Sequence, residues 1–116
     1  MRKETKKIAQ AFLRGEKAHA ARSSTNGDEL FLHGHCIAWK GGNDDVQFSF
    51  RNWPTNTTRD RINGVLDMFG YSFFGVSQRQ GEQWLVYKAE KVRILSTTGT
   101  AFCTGELDEL QKEVAA

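Results

Sequence analysis

Residues 46–69 read Val46-Gln47-Phe48-Ser49-Phe50-Arg51-Asn52-Trp53-Pro54-Thr55-Asn56-Thr57-Thr58-Arg59-Asp60-Arg61-Ile62-Asn63-Gly64-Val65-Leu66-Asp67-Met68-Phe69. The first six residues alternate, so Val46, Phe48 and Phe50 share one face and Gln47, Ser49 and Arg51 the other. That period of two belongs to a strand with a core side and a water side. Pro54 breaks the ladder because it has no N–H to donate. Thr55 to Thr58 then offer several N-cap side chains. Ile62, Val65, Leu66 and Phe69 recur at helical spacing, which predicts a helix over 59–69 ended by Gly70. Gly64 weakens that helix by ~1 kcal/mol and permits close packing on a sheet. A strand and a helix that are each dry on one side belong together in an α+β layer.

The flanking sequence extends the same pattern. Asn26-Gly27 is a strong hairpin signal, because both positions accept positive φ. It predicts a strand near 18–24 joined to one near 29–33. Gly34-His35 is a second turn, leading into Cys36-Ile37-Ala38-Trp39-Lys40. Gly41-Gly42-Asn43-Asp44 is a third, and the result is a four-strand meander. Upstream, residues 5–14 read as a helix with Ile8, Ala11, Phe12 and Leu13 inward, Thr5 as cap and Gly15 as the left-handed stop. Downstream, 73–78 and 83–88 form a hairpin around Arg79-Gln80-Gly81-Glu82, followed by a strand at 92–95. Residues 96–105 read as a loop in which Ala101-Phe102-Cys103 can pair briefly. Leu107, Leu110 and Val114 mark a last short helix. The expectation is one α+β domain over 1–116: a twisted antiparallel β-sheet of five to seven strands, meander plus hairpin, with an N-terminal helix, a central helix 59–69 and a short C-terminal helix.

The 116 residues are 39% hydrophobic and include 8 Phe, 3 Trp and 2 Tyr, enough apolar area to exclude disorder. No run approaches the ~20 apolar residues of a membrane helix, and the start lacks the apolar core of a secretion signal. Cys36 and Cys103 are therefore expected as reduced, small apolar side chains. The net charge of +2 is unevenly spread. Residues 1–22 carry seven basic residues against Glu4 and Glu16, whereas 106–113 are acidic.

Three chemistries can be weighed on these residues. His33, His35 and Cys36 are candidate zinc ligands, but a turn at Gly34-His35 splays them and no regular ligand spacing accompanies them. Cys36 beside His35 is no catalytic dyad, since neighbours on a strand face opposite ways. No nucleophile elbow, phosphate-binding loop or dinucleotide fingerprint occurs. The expectation is a protein that is not an enzyme and carries no cofactor. Nucleic-acid binding has more to work with. Lys3, Lys6, Lys7 and Arg14 form a basic helix face, Arg51, Trp53, Arg59 and Arg61 combine cations with an aromatic, and Arg79 sits at a hairpin tip. The acidic residues Asp28, Glu29, Asp44, Asp45, Glu106, Asp108 and Glu109 offer the opposite surface.

Leu30 to Trp39 and Trp53 to Asn63 resemble segments of small accessory proteins encoded by tailed bacteriophages, a family without an assigned function. Ala9 to Gly15 and Phe74 to Arg79 are similar too. The likeness runs from about residue 5 to residue 87 and leaves Lys88–Ala116 outside it. It transfers no site residue. It implies a phage gene product acting in the cytoplasm of the host bacterium. By analogy with that class of gene, the expected role is to bind and inhibit a host protein or ribonucleoprotein complex, such as a CRISPR-Cas immunity system, with a small nucleic-acid-binding module as the alternative and a metal-dependent enzyme around His33 and His35 as the second. Lys88, Glu90, Lys91 and Arg93 look like protection of a strand edge, which favours a monomer over a homodimer.

Overall fold

The computed structural model describes residues 2–115. Its elements are α1 (Lys3–Arg14), β1 (Ala18–Ala20), β2 (Ser23–Thr25), β3 (Glu29–Leu32), β4 (His35–Lys40), β5 (Val46–Phe48), α2 (Asn56–Met68), β6 (Phe74–Arg79), β7 (Glu82–Tyr87), β8 (Glu90–Ile94), β9 (Phe102–Cys103) and α3 (Thr104–Ala115). The fold is α+β. Among the described residues nine strands form two antiparallel sheets where one of five to seven strands, meander plus hairpin, was expected; the larger has six strands in the order β1-β2-β3-β4-β5-β9. The later hairpin and β8 form a separate three-stranded sheet, β6-β7-β8. The side chain of Val114, expected on the apolar stripe of α3, lies outside the described residues.

The deciding stretch behaves largely as its pattern requires. Val46, Phe48 and Phe50 are buried, and Phe48 stacks on Phe102 of β9 with ring centroids 4.7 Å apart. Ser49, expected to face water, is buried instead. The ladder with β4 ends at Phe48, and Ser49 turns inward, donating its N–H to the Ile37 carbonyl and accepting the Arg51 N–H on its hydroxyl. The central helix begins three residues earlier than expected. Thr55 caps it by accepting the Thr58 N–H, and it ends at Met68. Its buried face includes Ile62, Val65, Leu66 and Gly64.

α1 differs in phase from its sequence reading. Its buried residues are Thr5, Ile8, Ala9 and Phe12, while Leu13 is 42% exposed. Thr5 is no cap; it lies inside the first turn, and Arg2 occupies the cap position without a side-chain bond. Gly15 does close the helix in the left-handed conformation, at φ 72°. Phe12 meets Phe69 of the α2 C-terminus at 5.7 Å between centroids, so the two helices share one apolar seam.

The expected strand 18–24 is two strands. Ala21 takes φ 55° and folds β1 back onto β2, pairing Ala20 with Ser23. Neither glycine nor asparagine marks this turn. The second turn is His33-Gly34, at φ 52° and 81°, so His35 already belongs to β4. One cluster of buried side chains draws on α1, α2, α3 and both sheets. β6 is fastened to α2 by Asn63, whose amide donates to the Val76 carbonyl and accepts the Val76 N–H. Asn63 thereby pairs with a sheet edge in place of a strand.

Candidate functional site

Loop 49–55 leaves the main sheet and delivers the chain to α2, and it is unusual in its backbone. Arg51 and Asn52 are consecutive non-glycine residues in the left-handed region, at φ 50° and 64°. Such conformations cost of order 1–3 kcal/mol each and persist where the surroundings impose them. Here the surroundings are on view. Arg51 donates its Nε to the Cys36 carbonyl at 2.7 Å and lies over the Trp39 ring. Asn52 donates its N–H to the Thr97 carbonyl at 2.7 Å. The Trp53 N–H reaches the Phe50 carbonyl, and the Trp53 carbonyl accepts from the Thr58 hydroxyl and the Thr55 N–H. With its backbone fixed on both sides, Trp53 is left 55% exposed.

Trp53 borders an open groove of about 490 Å³ whose other walls are Arg22, His33, Thr55 and Thr57. The groove continues into a second hollow of about 300 Å³, lined by Arg2, Glu4, Ala21, Arg22, Leu32, His33, Thr57 and Arg61. Arg22, His33 and Thr57 belong to both. Three local structures therefore meet here: the β1–β2 turn with Arg22, the β3–β4 turn with His33, and the first turn of α2 with Thr57.

Arg61 forms part of the wall of the second hollow and is only 2% exposed. It donates Nε to the Ser23 hydroxyl at 2.8 Å and Nη1 to Asp60 Oδ2 at 3.0 Å. Nη1 also bonds the Thr5 hydroxyl, which in turn donates to Asp60. α1, α2 and β2 are joined through this one guanidinium. Its Nη2 has no partner among the described residues. Arg61 thus forms part of the wall of the hollow while almost wholly buried.

The other residues singled out from sequence fall in several places. Arg59 braces the loop: Nη1 bonds the Pro54 carbonyl, Gln78 and Gln83, and Nη2 bonds Asn56. Burial lowers its pKa from the usual arginine value. Lys3, Lys6, Lys7 and Arg14 are exposed on α1, with no acidic partner among the described residues. Arg79 is exposed on the three-stranded sheet and bonds Ser77. The acidic residues are dispersed. Asp28 and Asp44 are exposed, and Glu29 accepts from Asn26. The Asp45 carboxylate lies over Gly105, where an added Cβ would sit 2.8 Å from Oδ2. Glu106 pairs with Arg93 at 2.6 Å, Asp108 accepts from Tyr71 at 2.9 Å, and Glu109 pairs with Lys112.

His33 faces the groove from its turn, whereas His35 opens β4. No group of three or more His, Cys, Asp or Glu that could hold a metal occurs among the described residues. Cys36 and Cys103 are both free and half-buried. Burial, reinforced by Glu29 and opposed by Arg51, pushes the Cys36 thiol up, away from the activated thiolate a nucleophile needs. Arg2 and Arg22 were not among the sequence candidates. Their only signal was membership in the basic N-terminal stretch, and the Ala21 turn that presents Arg22 has no sequence mark.

A protein-family model described as Kyanoviridae Gp96 protein matches residues 1–107. The match includes residues 88–107, which the sequence resemblance had left aside. No curated protein and no solved structure matches the chain.

Proposed function

The chain belongs to the Kyanoviridae Gp96 protein family, a bacteriophage family, and from that premise we propose that it is a phage accessory protein that works by binding nucleic acid, without turnover. Trp53 carries this reading: a tryptophan left 55% exposed on a hydrogen-bonded loop with two left-handed residues before it, beside a groove bearing Arg22 and His33. Exposed aromatics flanked by cations hold single strands by stacking and charge together. The open basic face of α1, with Lys3, Lys6 and Lys7, adds a track for phosphates that starts beside Arg2. Among the described residues no helix is long and apolar enough to cross a membrane, and the proposed setting is the cytoplasm of the infected bacterium. Inhibition of a host complex, a CRISPR-Cas system included, is the consequence this binding would have if the strand captured belongs to that complex.

The test is fluorescence anisotropy with labelled single- and double-stranded oligonucleotides. Affinity is expected to fall steeply between about 50 mM and about 200 mM salt, as neutralised phosphates regain their counterions. Absence of binding at the lowest salt, or binding indifferent to salt, would contradict the reading.

A further inference from the structure

We infer that the two-part groove is a phosphate-and-base subsite for single-stranded nucleic acid, with a phosphodiester beside Arg61 and Arg22 and its neighbouring base on Trp53. The inference rests on the nucleic-acid reading and names where, and in what form, the strand is held.

Three independent features converge. The first is the buried arginine. Arg61 is held by Ser23, Thr5 and Asp60 through Nε and Nη1, its Nη2 has no partner among the described residues, and its side chain forms part of the wall of the hollow. A partly used guanidinium held in this way is a preorganised donor for a phosphate oxygen. The second is the helix terminus. Asn56 and Thr57 are the first two residues of α2, and their N–H groups have no partner among the described residues, because the Thr55 cap is used by Thr58. α2 has 13 residues and no acidic side chain in its first turn, so its positive end is open to an anion. Thr57 lines both halves of the groove, which puts this terminus at their junction. The third is Trp53, more than half exposed on the rim of the same groove. Arg22, exposed and common to both halves, is a counter-charge between them.

Opposing charge is confined to one end. Glu4 lines the hollow beside Arg2. Asp60 is engaged by Arg61, Thr5 and, at 3.9 Å, Arg2. The phosphate position is therefore on the Arg22–Thr57 side. A groove that needs a base free to lie on an indole excludes a duplex, whose bases are already stacked. Single strands alone satisfy both halves at once.

The experiment uses the full chain and three probes: a short oligothymidylate, a duplex of equal length and inorganic phosphate. Trp53→Ala and Arg22→Ala lie at the surface and leave the Arg61 network intact. Each is expected to weaken oligothymidylate binding about tenfold. Arg79→Ala, on the other sheet, is expected to leave it unchanged. In amide NMR spectra, inorganic phosphate is expected to shift Asn56 and Thr57 before other residues, and the oligothymidylate to shift them together with the Trp53 indole. If both variants bind like the wild type while Lys6→Glu/Lys7→Glu abolishes binding, the strand lies on α1: the subsite is wrong and the nucleic-acid reading stands. Equal affinity for duplex and single strand would also overturn the subsite. If no oligonucleotide binds, both statements fail.

Discussion

Arg61 carries more of this molecule than its one charge suggests. Its carboxylate partner lies on the adjacent residue of the same helix, and its other partners come from α1 and β2. Removing Arg61 takes away the buried donor that Ser23 and Thr5 share and leaves a partly exposed Asp60, a loss of about 1–3 kcal/mol. Arg61→Ala is expected to lower stability by that order in urea unfolding, with the slope against urea unchanged. Asp60→Asn is expected to be destabilising as well, because it leaves the buried Arg61 charge with only the neutral partners Ser23 and Thr5 and an amide. Tyr71 makes the second prediction at this scale. Burial first, then the bond to Asp108, raises its phenol from about 10 to about 12. The folded state thus favours the neutral phenol. The stability this brings is complete below pH 10 and is lost as pH rises from about 10 through about 12. In a spectrophotometric titration Tyr71 is expected to ionise last, and Tyr71→Phe to remove that late step. Neither role was legible in the sequence. Arg61 read as one of several surface cations, because most arginines are solvated, and its burial depends on residues 38 and 56 positions away.

At the scale of elements, local pattern determined where strands and helices form wherever one face is dry. The alternation of 46–50 and the helical spacing of Ile62, Val65 and Leu66 are both kept. Local pattern failed where a partner imposed the outcome. Ala21 accepts a left-handed turn because β2 pairs on both sides, with β1 and β3. Ala9 is buried on the inner face of α1 while Leu13 is exposed. The meeting of α1 with the β2–β3 turn is equally non-local. At Gly27, φ 98°, an added Cβ would lie 2.5 Å from the Gly15 carbonyl oxygen. Backbone faces backbone there, so no side chain can yield. Gly27→Ala is expected to destabilise by about 1–3 kcal/mol, read as a lower urea midpoint. The Thr55 cap gives a milder case: Thr55→Ala is expected to lose about 1 kcal/mol and to loosen the start of α2. Because Thr55 also lines the groove, the same variant is expected to weaken oligonucleotide binding.

Across the whole molecule, charge is organised by the fold more sharply than by the chain. The basic N-terminal stretch becomes two surfaces: the exposed face of α1 and, through Arg2 and Arg22, the wall of the groove. The acidic residues disperse into turns and into pairs with Arg93, Tyr71 and Lys112, which leaves the cationic side the more continuous one. Sequence reading named Trp53 and the basic helix as candidates. It placed Arg51, Arg59 and Arg61 with Trp53 on one surface, whereas the structure assigns the first two to holding the loop and the third to the groove wall. Only three-dimensional neighbours reveal the groove, since its walls come from residues 2–61 on five separate segments. The central claim is that this groove is where nucleic acid binds. Titration of the isotopically labelled chain with a short single-stranded oligonucleotide, followed residue by residue in NMR, tests it most directly. The account predicts that the largest shifts fall on Arg22, His33, Trp53, Asn56 and Thr57. Shifts centred on the β6-β7-β8 sheet, or no shifts at low salt, would contradict it.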